Sequence, residues 1–231
     1  SVYFCNNCGA ESPKWIGRCP VCGEWNTYVE EVVSTKSAAG GRGEFGTMEQ
    51  SKVRPQRIDD IQITEESRID LGNGELNRVL GGGLVRGSLV LIGGEPGIGK
   101  STLILQTVLA LKGQKVLYVS GEESARQLKL RAERIGGNAP DCYIVCETSL
   151  EDIFVHIRNV DPDIVVIDSI QTIATSAMES SPGSVGQVRE CAASLLKFAK
   201  QTNTPVLLVG HINKEGSIAG PKVLEHIVDT V

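Results

Sequence analysis

The sequence lacks any long apolar run. A membrane-crossing helix needs roughly 18–20 such residues, and the longest candidates, Ser88–Gly93 and Pro205–Gly210, are cut short by glycine. The opening residues, SVYFCNNC, hold no basic stretch followed by an apolar one, so they do not read as a secretory signal. A basic surplus is missing too, since the formal net charge is −5. That excludes a generally basic nucleic-acid binder, and any nucleic-acid partner must be drawn by local patches. No internal repeat is visible. What remains is a soluble protein, expected in the cytoplasm and without a membrane partner. Its 231 residues suit one or two domains, and 41% apolar residues is ordinary for a globular core.

Seven cysteines are present, four of them within residues 5–22. An odd total with one tight cluster fits a reducing compartment and a metal site better than a disulfide framework. Cys5, Cys8, Cys19 and Cys22 form C-x2-C-x10-C-x2-C, the spacing at which two knuckles offer four thiolates to Zn²⁺. Gly9 and Gly23 follow the second cysteine of each knuckle and permit the turns that aim backbone N–H groups at sulfur. So short a module cannot fold on a hydrophobic core alone, so the metal holds it together. A closed four-cysteine site is structural rather than catalytic. Trp15, Trp25 and Tyr28, with Lys14 and Arg18, are either a contact surface or the module's small core.

Residues 1–33 therefore read as a zinc-binding module. Residues 34–56, small, polar and glycine-rich, read as a linker. From 57 to 231, apolar strands alternate with helical patterns. Ser88–Ile92, Val116–Val119, Tyr143–Cys146, Ile164–Ile167 and Val206–Val209 are the strands. Lys100–Leu111, Ser124–Ile135, Ser149–Val160 and Ser184–Lys200 are the helices, with Ala125, Leu128, Ala132 and Ile135 expected to face inward in the second. The pattern predicts an α/β fold, a mainly parallel sheet covered by helices on both faces. Residues 228–231 read as a strand that has just begun, so a truncated chain is expected.

Between the first strand and the first helix stand Gly94, Glu95, Pro96, Gly97, Ile98, Gly99, Lys100, Ser101 and Thr102. They satisfy G-x-x-x-x-G-K-[ST] in the strand–loop–helix context that the motif requires. Backbone N–H groups of such a loop wrap phosphate oxygens, and the helix N-terminus adds its positive end. Lys100 is expected to reach the β- and γ-phosphates and Ser101 to bind Mg²⁺. Asp168 follows Ile164–Ile167 at the tip of a buried strand, where a carboxylate can hold the Mg²⁺ shell. Glu122 and Glu123 follow Val116–Val119, on a strand expected between the two motifs in space. Glu122 is the candidate base for an attacking water, while capping of the helix at Ser124 is the alternative use of either acid. Asn213-Lys214 resembles the guanine-reading N-K-x-D pattern, but Gly216 stands where the aspartate belongs. ATP or ADP is therefore the expected nucleotide.

His211 lies just past the last strand, where a polar side chain can sense the γ-phosphate. The segments 175–186 and 214–222 are glycine-rich and read as mobile loops on one edge of the sheet. Lys214 and Lys222, with Arg189 beyond the first loop, are candidate contacts to DNA.

The four-cysteine module with WIGRCP, LGGG at Leu80–Gly83, GGEPGIGKST, YVSGEES, VVIDSIQT, SSPGSVGQVRE and GHINKEGSIAGPKVLEH together resemble the bacterial RadA (Sms) family over nearly the whole chain. The resemblance implies a RecA-type ATPase core similar to hexameric DnaB-kind helicases. It implies binding of single-stranded and branched DNA, branch migration of recombination intermediates, and partnership with the RecA recombinase. It places Glu122 at the catalytic position, His211 at the sensor position, and the two loops in the channel of a homo-hexamer. In such a ring a few loop lysines converge on one axis, which offsets the acidic total. The family also carries a K-N-R-F-G motif and a Lon-protease-like domain beyond this stretch. A basic group reaching a neighbour's nucleotide is worth about 10³–10⁵ in rate, so this chain is expected to bind nucleotide, hydrolyse it slowly and assemble poorly. A nucleotide-switched adaptor, docking proteins through the zinc module, is the competing reading, and a RecA-fold kinase is a third.

Overall fold

Four cysteines leave little room for a conventional core, and the N-terminal residues fold around them. The computed structural model describes residues 2–31, 57–60, 68–136, 141–211 and 224–231. Strands β1 (Val2–Cys5), β2 (Glu11–Ser12) and β3 (Tyr28–Glu31) form an antiparallel sheet in the order β2-β1-β3. Cys5, Cys19 and Tyr28 are its buried centre, with Tyr3, Cys8, Ala10, Ile16 and Cys22 packed against them. Tyr28 is thus core. Trp15 and Trp25 are 52% and 67% exposed and belong to the surface. The expected linker, residues 34–56, lies outside the described residues.

The second sheet is built from β4 (Leu89–Gly94), β5 (Val116–Ser120), β6 (Cys142–Cys146), β7 (Ile164–Asp168) and β8 (Val206–His211). All neighbours are parallel, in the order β4-β8-β7-β5-β6. Because successive side chains alternate, each strand feeds two cores. Leu89, Leu91, Leu117, Val119, Val165, Ile167, Val206 and Leu208 meet α4 (Leu150–Val160) and α5 (Val185–Thr202). Val90, Val116, Tyr118, Ile164, Val166, Leu207 and Val209 meet α2 (Lys100–Ala110) and α3 (Ala125–Ile135). Each fully buried leucine, isoleucine or valine contributes about 1.5–3 kcal/mol, so both faces are strongly held. A short α1 (Gly74–Val79) precedes β4, capped by the Asn73 side chain.

Two expectations change here. The strand lying between β4 and β7 is β8, which carries His211, and not β5. Chain order does not set sheet order when every connection is a crossover, so Glu122 approaches from the far side of β7. In α3, Leu128 and Ala132 are buried and Ile135 is partly covered, but Ala125, in the first turn, is exposed. A single methyl supplies little apolar area to drive burial. Past the last described gap, Thr230 pairs in parallel with Val90, and Leu91 N donates to Thr230 O at 2.9 Å.

Candidate nucleotide site and metal centre

The phosphate loop runs from the end of β4 to the start of α2. Gly97 and Gly99 take φ of 81° and 95°, a left-handed region open to glycine at little cost. The turn leaves the first N–H groups of α2 facing a cavity of about 600 Å³. Pro96, Gly97 and Gly99 through Thr102 form one wall, and Glu122, Arg131 and His211 form the other. Lys100 Nζ donates to Gly94 O at 2.7 Å and to Glu95 O at 2.8 Å. Burial lowers its pKa, while the charges of Asp168 and Glu122 oppose that shift.

Asp168 ends β7 with its side chain buried. Its Oδ1 accepts from Ser101 Oγ at 3.1 Å, and its Oδ2 accepts from Tyr118 Oη at 2.5 Å. A hydroxyl and a carboxylate oxygen side by side are the hard donors that Mg²⁺ takes beside a triphosphate. The pair therefore fits that cation, which when bound would neutralise phosphoryl charge.

Glu122 reaches the same cavity from the turn after β5. Its Oε1 accepts from Ser169 Oγ at 2.5 Å and lies 3.1 Å from His211 Nε2. Gly121 makes this approach possible. A Cβ there would collide with Thr172 Oγ1 and stand 2.6 Å from Thr172 Cβ, so only glycine lets the turn pass. Glu123 points elsewhere and pairs with Arg131 Nη2 at 2.5 Å. Neither acid caps α3. That work falls to Ser124, in a capping box with Gln127. The two glutamates are therefore distinct, and Glu122 is the one beside the phosphate loop.

Tyr118, Ser169 and Arg131 were not singled out from the sequence. Ser169 had a usable signal in its position next to Asp168. Tyr118 had one as well, being the sole polar side chain within the run Val116–Val119. Arg131 had none, because its place at the cavity follows from how α3 packs.

The four cysteine sulfurs lie within 4.8 Å of one another. Cys5 Sγ to Cys22 Sγ is 3.7 Å, and Cys8 Sγ to Cys19 Sγ is 3.5 Å. Tetrahedral Zn–S bonds of about 2.3 Å place sulfurs about 3.8 Å apart, so the cluster has the size of a zinc site. Gly9 and Gly23, at φ of 72° and 77°, close the matching knuckle turns, donating to Cys5 O and Cys19 O. Although desolvation raises it, the Cys19 thiol is brought down to about 6 by backbone N–H groups of Cys22 and Val21 and by the Tyr28 hydroxyl.

The segment 175–186 is not a free loop. Val185 and Gly186 already belong to α5. Gln187 Nε2 donates to Thr175 O, Met178 O and Ser180 O, and its Oε1 accepts from Thr175 N. Glu151 Oε1 accepts from Thr175 Oγ1, Ser176 N and Ser176 Oγ. Arg189 is engaged as well. It donates to Gly9 O at 2.9 Å, pairs with Glu11 at 2.9 Å and stacks over Phe4 at 5.8 Å. Its guanidinium joins the cysteine module to α5, and a DNA phosphate would have to compete with these three partners. Asn213, Lys214, Gly216 and Lys222 lie outside the described residues.

A phosphate loop, a strand-tip aspartate and a neighbouring glutamate on this sheet define a P-loop ATPase core, here joined to a zinc-ribbon module. A family described as "AAA domain" matches residues 52–217, and one described as "Rubredoxin metal binding domain" matches residues 3–30. The chain is 54% identical to the DNA repair protein RadA of Bacillus subtilis, over 100% of this chain and 51% of that protein. It is 52% identical to the RadA of Listeria monocytogenes (99% and 50% covered) and 49% identical to that of Pseudomonas aeruginosa (100% and 50% covered). The chain belongs to the RadA family of AAA-domain proteins. It spans about half the length of the curated relatives it matches. No helix among the described residues is long and apolar enough to cross a membrane.

Proposed function

We propose that this chain is the ATP-driven part of a DNA repair and recombination motor that binds single-stranded DNA and promotes branch migration. The observation that carries the reading is the convergence of Lys100, Ser101, Glu122 and His211 on one cavity, with Asp168 buried behind it and hydrogen-bonded to Ser101. Lys100 and the loop amides hold the β- and γ-phosphates of ATP. Ser101 and Asp168 hold Mg²⁺. Glu122 orients and deprotonates the attacking water, and His211 links that carboxylate to β8 and so to the segment following it. The relatives' shared name, DNA repair protein, supports DNA as the polymer on which this cycle acts.

In this reading the segments after β7 and β8 face DNA. They leave neighbouring parallel strands at the C-terminal end of the sheet, and in a ring of six subunits Lys214 and Lys222 are the proposed contacts to DNA. RecA is the recombinase partner that the family resemblance implies. The exposed Trp15 and Trp25 favour a second reading, in which the zinc module docks a protein and ATP switches that docking.

Titration of a labelled single-stranded oligonucleotide in the presence of ATP and Mg²⁺, at increasing salt, separates the two. A motor gripping several phosphates weakens steeply, with a log–log slope of about −0.7 per phosphate contacted. Absence of oligonucleotide binding with nucleotide binding intact removes the motor and leaves the adaptor.

A further inference from the structure

Strand β5 is apolar along its length except for one hydroxyl before its final serine. Tyr118 is fully buried in the core beneath α2 and α3. A buried phenol must find a partner or lose its hydrogen bond to water. Register supplies it. Tyr118 lies opposite Val166 and Ser120 opposite Asp168, so the ring and the carboxylate share one face of the sheet. Tyr118 Oη lies 2.5 Å from Asp168 Oδ2, while Asp168 Oδ1 receives Ser101 Oγ at 3.1 Å. The two carboxylate oxygens thus have different tasks.

We propose that Tyr118 is a positioning residue: its hydroxyl clamps Oδ2 and so fixes the rotation that turns Oδ1 toward Ser101 and a bound divalent cation. The proposal rests on the magnesium reading above. The chemistry of the donor matters. Lysine or arginine in this place would cancel the carboxylate's charge, whereas a phenol orients it and leaves the full negative charge for the metal. Phenylalanine would fill the same core space and pack equally well, so packing alone does not call for the hydroxyl.

The test measures affinity for a fluorescent ATP analogue at graded Mg²⁺, and without Mg²⁺, for the parent, Tyr118→Phe and Asp168→Asn. Outer-shell partners of metal ligands typically carry about 10–100-fold in metal affinity. Tyr118→Phe should raise the half-saturating Mg²⁺ by that factor and leave metal-free nucleotide affinity unchanged. Replacing Tyr118 by 4-aminophenylalanine, which keeps a para donor, should bring the Mg²⁺ dependence back. Replacement by 4-fluorophenylalanine, filled at the para position but unable to donate, repeats the comparison should the phenylalanine variant not fold. Unchanged Mg²⁺ dependence in Tyr118→Phe, with Asp168→Asn impaired, overturns the role of Tyr118 alone. Unchanged dependence in Asp168→Asn overturns the magnesium reading and this proposal with it.

Discussion

Glu122 Oε1 lies 3.1 Å from His211 Nε2, and the same oxygen accepts from Ser169. Both of these contacts converge on one oxygen of the carboxylate. In the proposed role of general base, Glu122 is oriented by these two partners. Loss of a positioned base costs about 10²–10⁴ in rate. Glu122→Gln should therefore keep ATP affinity and lower phosphate release by that factor. Glu123→Gln, which breaks the pair with Arg131, should leave a larger share of turnover. Equal losses measured in the two variants would remove the distinction between them.

The cysteine module and the core should respond separately to metal loss. Chelation, which strips the metal, or Cys8→Ser, which removes one thiolate from a cluster sized for zinc, should unfold residues 5–28 while β4 to β8 stay folded. Limited proteolysis with zinc release measured in parallel reads both. Arg189→Ala should loosen docking without releasing zinc, because the pair with Glu11 is part-exposed and worth about 0.2–1 kcal/mol. Loss of core structure on zinc release would show that the module is integral to the core.

Much of this architecture is legible in residue spacing. The five apolar runs give the strands, the α5 face Val185, Val188, Ala192, Leu195 and Ala199 is buried as its spacing predicts, and the phosphate loop lies between β4 and α2. Sheet order was not legible, because β8 pairs with both β4 and β7 through contacts remote in sequence. The segment 175–186 misled because glycine, serine and proline mark a turn equally well whether it is free or pinned. What pins it is Gln187, a polar residue on a helix, and no local pattern distinguishes that role. Arg189 likewise reads as a surface cation until the cysteine module is seen against it.

The pinned segment should be sensitive to acid. Although desolvation raises it, the Glu151 pKa is brought down to about 2 by its own backbone N–H, the Thr175 and Ser176 hydroxyls and the Ser176 N–H. A depressed carboxyl contributes stability above its unfolded value of 4.5, and that stability is lost as pH falls from there through about 2. The melting temperature of Glu151→Gln should therefore lie below the parent's at neutral pH, with the gap closing across this window. A gap that persists at the acid end would assign the loss to shape rather than charge.

Affinity for ATP with Mg²⁺ present, compared between the parent and Lys100→Ala, tests the central claim most directly. Lys100 lines the phosphate cavity, with its ammonium held by the Gly94 and Glu95 carbonyls, and a charge-assisted hydrogen bond from it to phosphate is worth about 1.5–3 kcal/mol. The account predicts saturable binding of adenine nucleotide by the parent and an affinity at least about tenfold weaker in the variant. Absence of adenine-nucleotide binding by the parent, or equal affinity in the two proteins, would contradict it.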